Sequence, residues 1–431
     1  MSLALGAMLI ALFGLAGLGA PVGYAIILSS VLYLALAGLD MALAGEKILQ
    51  GLYNSFVLLA VPLFIVAANL MNAGTISRRL LDVCVAVVGR FRGGLGHVNV
   101  AASLVFSGMS GSAVADAAGI GKIIIGMMTD GGRYPRGYAA AITAATATIG
   151  PIIPPSIPMV LYALVSGASI GALFLAGIVP GLVMGAVLAA MNAWLAGRRG
   201  FPTDEAVPLR ELPRQVGRAF PTLLMPVILL VGIYGGLTTP TEAAAVAALY
   251  ALLLAGLFYR ALTAGALYRV FVDSARSSAA VGVLIGGAFI LNFIVIAEGI
   301  PAAISDMLTG LDVSPLGFLL AVNVLVLLLG CVLDATTIIL VIVPLFLPTC
   351  RALGIDLVHF GVLIVVNAMI GLITPPYGVL LFVINAVTGI PLGEIVREIW
   401  PFLLVLIGAL VLLVAFPGLT LFLPRLLGYQ G

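Results

Sequence analysis

Charge is scarce in this chain: only 8% of its 431 residues are charged, 19 basic and 17 acidic. Ordinary soluble domains carry roughly a quarter, and so few charges cannot clothe a soluble surface of this length. A net charge of +2 leaves no basic footprint for nucleic acid. Two histidines, His97 and His359, are too few for metal or proton-relay chemistry and read as residues at the start of apolar segments. Three cysteines, Cys84, Cys331 and Cys350, all in apolar runs, provide neither a disulfide framework nor metal spacing. They read as small core residues. No His-Glu-x-x-His occurs, and Gly121-Lys122 lacks the earlier glycine and the following Ser or Thr of a phosphate-binding loop, so an ATP-driven motor is excluded. What abounds is apolar sequence, 63% of the chain. At about 20 residues per spanning helix there is room for a dozen crossings. The chain reads as an all-α polytopic membrane protein.

The first apolar run begins at Leu3 without a charged n-region, so it reads as a membrane helix and not a cleaved signal. Charges collect in short connectors. The longest, 198–219, holds Arg198, Arg199, Arg210, Arg214 and Arg218 with Pro202, Pro208 and Pro213, and the positive-inside rule makes it cytoplasmic. A second basic segment, 260–276, is amphipathic and is expected to lie along the interface as a separate helix. Glu298, beside Gly299 and Pro301, is expected at the interface too.

The linker divides the chain almost in half, and the halves resemble each other. Gly150-Pro151-Ile152-Ile153-Pro154-Pro155-Ser156 stands against Gly371-Leu372-Ile373-Thr374-Pro375-Pro376-Tyr377. Gly150 and Gly371, Pro154 and Pro375, Pro155 and Pro376, and Pro180 and Pro401 are each 221 positions apart. Upstream, each half has a glycine-rich tip followed by an aspartate, Asp116 and Asp334, at an offset of 218. With 96–129 and 316–350 as re-entrant hairpins, four plain spans separate the diproline helices, which then run in opposite directions. That is an inverted repeat.

Proline removes a donor and clashes with the preceding turn, so two in succession stop a helix. Each Gly-x-x-x-Pro-Pro therefore predicts two half-helices with an unwound loop, tolerated in lipid only where it is buried in protein or lines a cavity. Freed carbonyls suit a cation, and a half-helix N-terminus suits an anion. A simple proline kink is the plainer alternative for one such motif, less so for two in register. Ser103, Ser107, Ser110 and Ser112 cluster at the first tip, and Asp334, Thr336 and Thr337 at the second. Thr143, Thr146 and Thr148 precede the first loop, and Asn367 and Thr374 flank the second. Singly, such hydroxyls often bond back to their own helix. As two groups at helix breaks they read as sites for sodium or a small acid. Asp116 and Asp334 are intramembrane carboxylates, fit either to cap a half-helix or to couple an ion. Lys122 lies six residues from Asp116, off its helical face.

Gly108-Met109-Ser110-Gly111 also matches the G-x-S-G string of rhomboid intramembrane proteases, with His97 and His359 as the candidate partners of Ser110. That reading leaves the repeat unexplained.

Together, Phe106-Ser107-Gly108-Met109-Ser110-Gly111-Ser112-Ala113-Val114-Ala115-Asp116, the first diproline string, and the run from Gly354-Ile355-Asp356 through His359-Phe360-Gly361 and Asn367 to Thr374-Pro375-Pro376 resemble the large membrane subunit of TRAP (tripartite ATP-independent periplasmic) transporters. The resemblance spans essentially the whole chain. It implies an elevator-type, inverted-repeat transporter of the ion-transporter superfamily with two re-entrant hairpins and two broken helices. It implies a scaffold at 1–95, 172–315 and 391–431, and transport-domain repeats at 96–171 and 316–390. It implies Na+-driven uptake of an organic acid delivered by a periplasmic substrate-binding protein, with a small four-helix membrane subunit as a separate chain. The location implied is a bacterial or archaeal cytoplasmic membrane. On that footing sodium is expected near Ser110, Ser112, Thr146 and Gly150, and near Asp334, Thr337, Asn367 and Thr374. The acid is expected near Ser107, Asp116, Pro154, Pro155, Ser156, Thr336, Pro375 and Pro376. A stand-alone sodium–dicarboxylate carrier or antiporter of the same superfamily is the nearest alternative.

Overall fold

The computed structural model describes residues 2–53, 56–72, 76–203, 211–303 and 313–431. Part of the 198–219 linker, 204–210 with Pro208 and Arg210, lies outside the described residues. Among the described residues all regular structure is helical, as expected of a backbone that must satisfy its own polar groups in lipid. Among the described residues six single helices are long and apolar enough to cross a membrane: Ile170–Arg199, Pro213–Tyr234, Pro240–Phe258, Ala264–Ala297, Ala335–Ala352 and Leu392–Ala415. The chain is a multi-pass membrane protein.

The segment 260–276 is not a separate interfacial helix. From Ala264 it runs without a break into the apolar stretch after it, as one helix of 34 residues, Ala264–Ala297. Residues 264–281 hold no proline and no glycine pair to interrupt it, and Thr263 caps its start by accepting from the Ala266 N–H. At the far end Glu298 takes hydroxyl donors from Ser2 and Tyr33, which hold its carboxyl below the usual range.

Two hairpins and two broken helices form the middle of the molecule. The first hairpin has an inner arm, Gly94–Ser110, and an outer arm over 113–129 that contains a widened turn at 117–121. The first broken helix runs Arg136–Ala147 and resumes as Ile157–Ser166. The second hairpin pairs Pro315–Gly330 with Ala335–Ala352, whose widened turn lies at 338–342. The second broken helix runs Leu357–Gly371 and resumes as Val379–Thr388. Both breaks fall at the diprolines, and both prolyl–prolyl bonds are cis.

Side-chain ties fix the direction of each piece. At one end of the molecule the Gly93 N–H donates to the Pro202 carbonyl at 3.1 Å, Tyr138 donates to Asn192, and Arg199 pairs with Glu398 at 2.7 Å. These bonds gather the starts of the first inner arm, the first broken helix and Leu392–Ala415. At the other end Arg351 donates to the Ser166 carbonyl at 3.2 Å, Tyr162 to the Leu357 carbonyl at 2.6 Å, and Tyr429 to Asp356 at 3.3 Å. These gather the finish of the first broken helix, the start of the second, and the root of the second hairpin. The two broken helices therefore run antiparallel, and the hairpins enter from opposite ends. Arg90, Arg92, Arg133, Arg136, Arg198, Arg199 and Arg397 crowd the first end, which the positive-inside rule assigns to the cytoplasm.

Candidate transport site

Each half-repeat places its hairpin tip against its own unwound loop, and glycine makes the approach possible. At the first tip Gly111 adopts φ +57°, where L side chains are strained, and a Cβ there would stand 2.6 Å from the Pro155 carbonyl oxygen. Tip and diproline loop thus touch backbone to backbone. Ser112 starts the outer arm as its cap, accepting from the Ala115 N–H at 3.3 Å. Four residues on, Asp116 is 3% exposed and both its oxygens lack a hydrogen-bond partner. A Cβ on Gly150 would sit 2.3 Å from Asp116 Oδ2, so the carboxylate rests on the backbone of the unwound loop. Ser110, also buried, turns its hydroxyl toward the carboxylate without making a hydrogen bond of full geometry to it. Lys122 forms no ion pair with it.

The neighbouring hydroxyls are engaged. Thr146 donates to Asn99 Oδ1 at 3.0 Å, and Asn99 Nδ2 donates to Thr143 Oγ1 at 2.6 Å. Ser107 donates to the Leu104 carbonyl at 2.6 Å. Ser156 donates to the Pro151 carbonyl and accepts from the Met159 N–H at 3.2 Å, so it bridges the loop and caps the second half-helix. Pro154, Pro155 and Ser156 are buried.

At the second junction two glycines meet directly: a Cβ on Gly371 would stand 2.7 Å from the Gly330 Cα. The Gly378 N–H reaches the Cys331 carbonyl at 3.4 Å. Asp334 is the cap of its outer arm. It accepts from the N–H groups of Thr336 and Thr337 at 2.9 and 3.3 Å and from the Thr337 hydroxyl at 2.5 Å. Asn367 donates to the Asn323 carbonyl and Oδ1 at 2.6 and 2.8 Å, while its own buried Oδ1 has no partner. Thr374 bonds back to the Ile370 carbonyl at 2.8 Å. Pro375 is half-buried and Pro376 exposed.

These contacts revise the pairing of the aspartates. Asp334 occupies the cap position that Ser112 holds in the first half, 222 residues earlier, and Asp116 lies one turn inside its arm. The two are not equivalent. The widened turns at 117–121 and 338–342 keep the 221-residue offset of the diprolines. From Asn99 to Ser112 is two residues longer than from Asn323 to Asp334, and that difference at the tip misaligns the acids.

The repeats also interlock. The outer arm of the first hairpin packs on Val379–Thr388 of the other repeat, and the second hairpin's outer arm packs on Ile157–Ser166. Gly361 admits the Tyr162 ring, which a Cβ would meet at 2.3 Å. Ser110, Ser112, Asp116, Gly150, Pro154, Pro155 and Ser156 share one junction, and Asp334, Thr336, Thr337, Thr374, Pro375 and Pro376 the other. Asn99 and Asn323 are not among the residues the sequence analysis names. The signal was present: each stands 44 residues before a polar partner on the following helix, Thr143 and Asn367.

Nucleophilic catalysis lacks its parts. His97 stacks edge-on against Phe91 beside the first arm's root, and His359 bonds Thr420 at 2.7 Å at the opposite end, so neither histidine hydrogen-bonds to Ser110. Among the described residues no group of three His, Cys, Asp or Glu is placed to hold a metal.

A family model described as the tripartite ATP-independent periplasmic transporter, DctM component, matches residues 9–419. The sialic acid TRAP transporter large permease protein SiaM of Vibrio cholerae is 41% identical over 97% of this chain and 99% of its own. The 2,3-diketo-L-gulonate TRAP transporter large permease protein YiaN of Escherichia coli is 37% identical over 95% and 96%. In fold, the chain is similar to the crystal structure of the YdaH transporter of Alcanivorax borkumensis. The TM-score is 0.64 and the identity 17%, over 87% of each chain.

Proposed function

The chain belongs to the family of the DctM component of tripartite ATP-independent periplasmic transporters, and from that premise we propose that it takes up an organic acid with sodium as the co-transported ion. It is a transporter subunit and not an enzyme. The observation that carries the sodium reading is the buried Asp116 carboxylate, unpartnered and resting on Gly150. A buried charge without a partner is costly. A hard cation among hard oxygen donors removes that cost. Ser110 Oγ and both Asp116 oxygens supply such donors at the first junction, and Asn367 Oδ1 supplies one at the second. Asp116 therefore belongs with the ion and not with the acid, which its charge would repel.

Bound cations neutralise the unwound loops, and the acid's carboxylate meets the half-helices that restart at Ile157 and Val379, at the positive ends of their dipoles. The relatives named for sialic acid and 2,3-diketo-L-gulonate support a carboxylate as the cargo. In this reading the hairpins and broken helices move as one body against the remaining helices. A periplasmic binding protein delivers the acid, a small four-helix membrane subunit completes the complex, and the membrane is the bacterial or archaeal cytoplasmic one. Uptake of radiolabelled sialic acid and C4-dicarboxylates into proteoliposomes, with the genomic neighbours as partners, tests it. Uptake is expected only with an inward sodium gradient and the loaded binding protein. Equal rates in potassium reject the coupling, and equal rates without the binding protein reject the tripartite assembly.

A further inference from the structure

At the cytoplasmic end, away from both junctions, a cavity of about 580 Å³ opens between three elements. The helix Ile76–Val88 contributes Arg78, Arg79 and Asp82, the start of Leu212–Tyr234 contributes Gln215 and Arg218, and the outer arm of the first hairpin contributes Met127. Three guanidinium groups face one carboxylate, and none of the three forms an ion pair among the described residues. Like charges so gathered are unfavourable unless an anion joins them.

The surroundings indicate which anion. Arg79 lies over the Tyr259 ring at 4.6 Å, and the Tyr259 hydroxyl donates to the Arg218 backbone carbonyl at 2.8 Å, so an aromatic side chain braces Arg79 and ties its helix end to the Arg218 backbone. Aromatic residues at a helix end mark the headgroup depth of a bilayer. From Tyr259 the same helix continues toward the membrane centre with Leu257, Leu253 and Leu249 at four-residue spacing, 72%, 44% and 57% exposed. The helix that carries these exposed leucines ends at Tyr259, beside the charged recess, which offers a phospholipid a place for its phosphate in the recess and for its acyl chains on the apolar helix surface next to it.

We propose that this cavity binds the headgroup of an anionic phospholipid of the cytoplasmic leaflet, joining the helix that leads into the first hairpin to the helices behind it. The phosphate meets Arg78, Arg79 and Arg218, and Asp82 weakens the site.

The full complex in nanodiscs of phosphatidylcholine doped with phosphatidylglycerol provides the test, with retained lipid read by native mass spectrometry. Phosphatidylglycerol retention is expected to weaken roughly fivefold for each arginine removed in Arg78→Gln, Arg79→Gln and Arg218→Gln. Asp82→Asn is expected to strengthen it. Arg269→Gln, a basic residue outside the cavity, is expected to leave it unchanged. Wild-type retention in the arginine variants overturns the proposal, as does an equal loss in Arg269→Gln. If the arginine variants fail to assemble, Asp82→Asn decides, and an unchanged affinity there also overturns it. In a third arm inorganic phosphate is added to phosphatidylcholine discs. Thermal stabilisation of the wild type equal to that from phosphatidylglycerol, and lost in Arg218→Gln, would mean a soluble oxyanion and would overturn the lipid assignment.

Discussion

The two hairpin–loop junctions descend from one pattern, yet one is shut and the other open. At the first, Pro154, Pro155 and Ser156 are buried and the carboxylate inside has no partner. At the second, Tyr377 is 50% exposed next to Pro376, and the carboxylate is spent on capping a helix with three donors of its own arm. Matching residue types in the two repeats thus carry different duties. A capping aspartate is satisfied by the fold and needs nothing more. An unpartnered one in an apolar surround requires a ligand or a proton.

Substituting the two acids sharpens that contrast most. Asp116→Asn removes the charge a cation would neutralise, and sodium-driven uptake is expected to fall roughly tenfold to a hundredfold, the scale of 1.5–3 kcal/mol for an interaction with a charged group. Asp334→Asn keeps a good cap, since asparagine serves as well as aspartate there, so uptake is expected to stay near wild type. Initial rates across a sodium titration in proteoliposomes measure both. Equal losses at the two positions would erase the distinction.

Glycine gives a second, smaller contrast. Gly371→Ala puts a methyl group on the Gly330 backbone, and Gly111→Ala puts one on the Pro155 carbonyl. Both overpack a closed contact, which costs about 1–3 kcal/mol. Only Gly111 also has a positive φ, which adds about 1–2 kcal/mol for an L residue. Thermal unfolding of the purified complex is expected to rank Gly111→Ala below Gly371→Ala, with both below wild type.

Much of the architecture was legible before any coordinates. Diprolines stop helices by local chemistry, so both breaks could be located from Pro154-Pro155 and Pro375-Pro376 alone. The apolar runs and the basic linker likewise follow from residue type. What was not legible depends on distant partners. The continuity of Ala264–Ala297 was hidden because an amphipathic start and an apolar finish look like two segments, although no breaker separates them. The duties of Asp116 and Asp334 were hidden because the offsets of 218 and 221 show that the tips differ in length but not which residue caps each outer arm. Asn99 and Asn323 are single polar residues in apolar arms, a pattern that by itself marks nothing. Their importance lies in what faces them across the arm.

Those asparagines provide the finest comparison. Asn99→Ala deprives Thr143 and Thr146 of a partner, but each hydroxyl still has a carbonyl on its own helix, Ala139 at 2.8 Å and Thr143 at 3.2 Å. No donor is stranded. Asn323→Ala keeps its carbonyl for Asn367 but removes Oδ1, stranding the second hydrogen of an amide whose oxygen is already without a partner. Hydrogen bonds between membrane helices contribute about 0.6 kcal/mol on average. Asn323→Ala is therefore expected to destabilise by about that amount, and Asn99→Ala by less. A double-mutant cycle of Asn323→Ala with Asn367→Ala isolates the pair. A coupling indistinguishable from zero would mean that the Oδ1 bond adds nothing to the Asn323 carbonyl bond and the Gly330–Gly371 contact in holding the second inner arm.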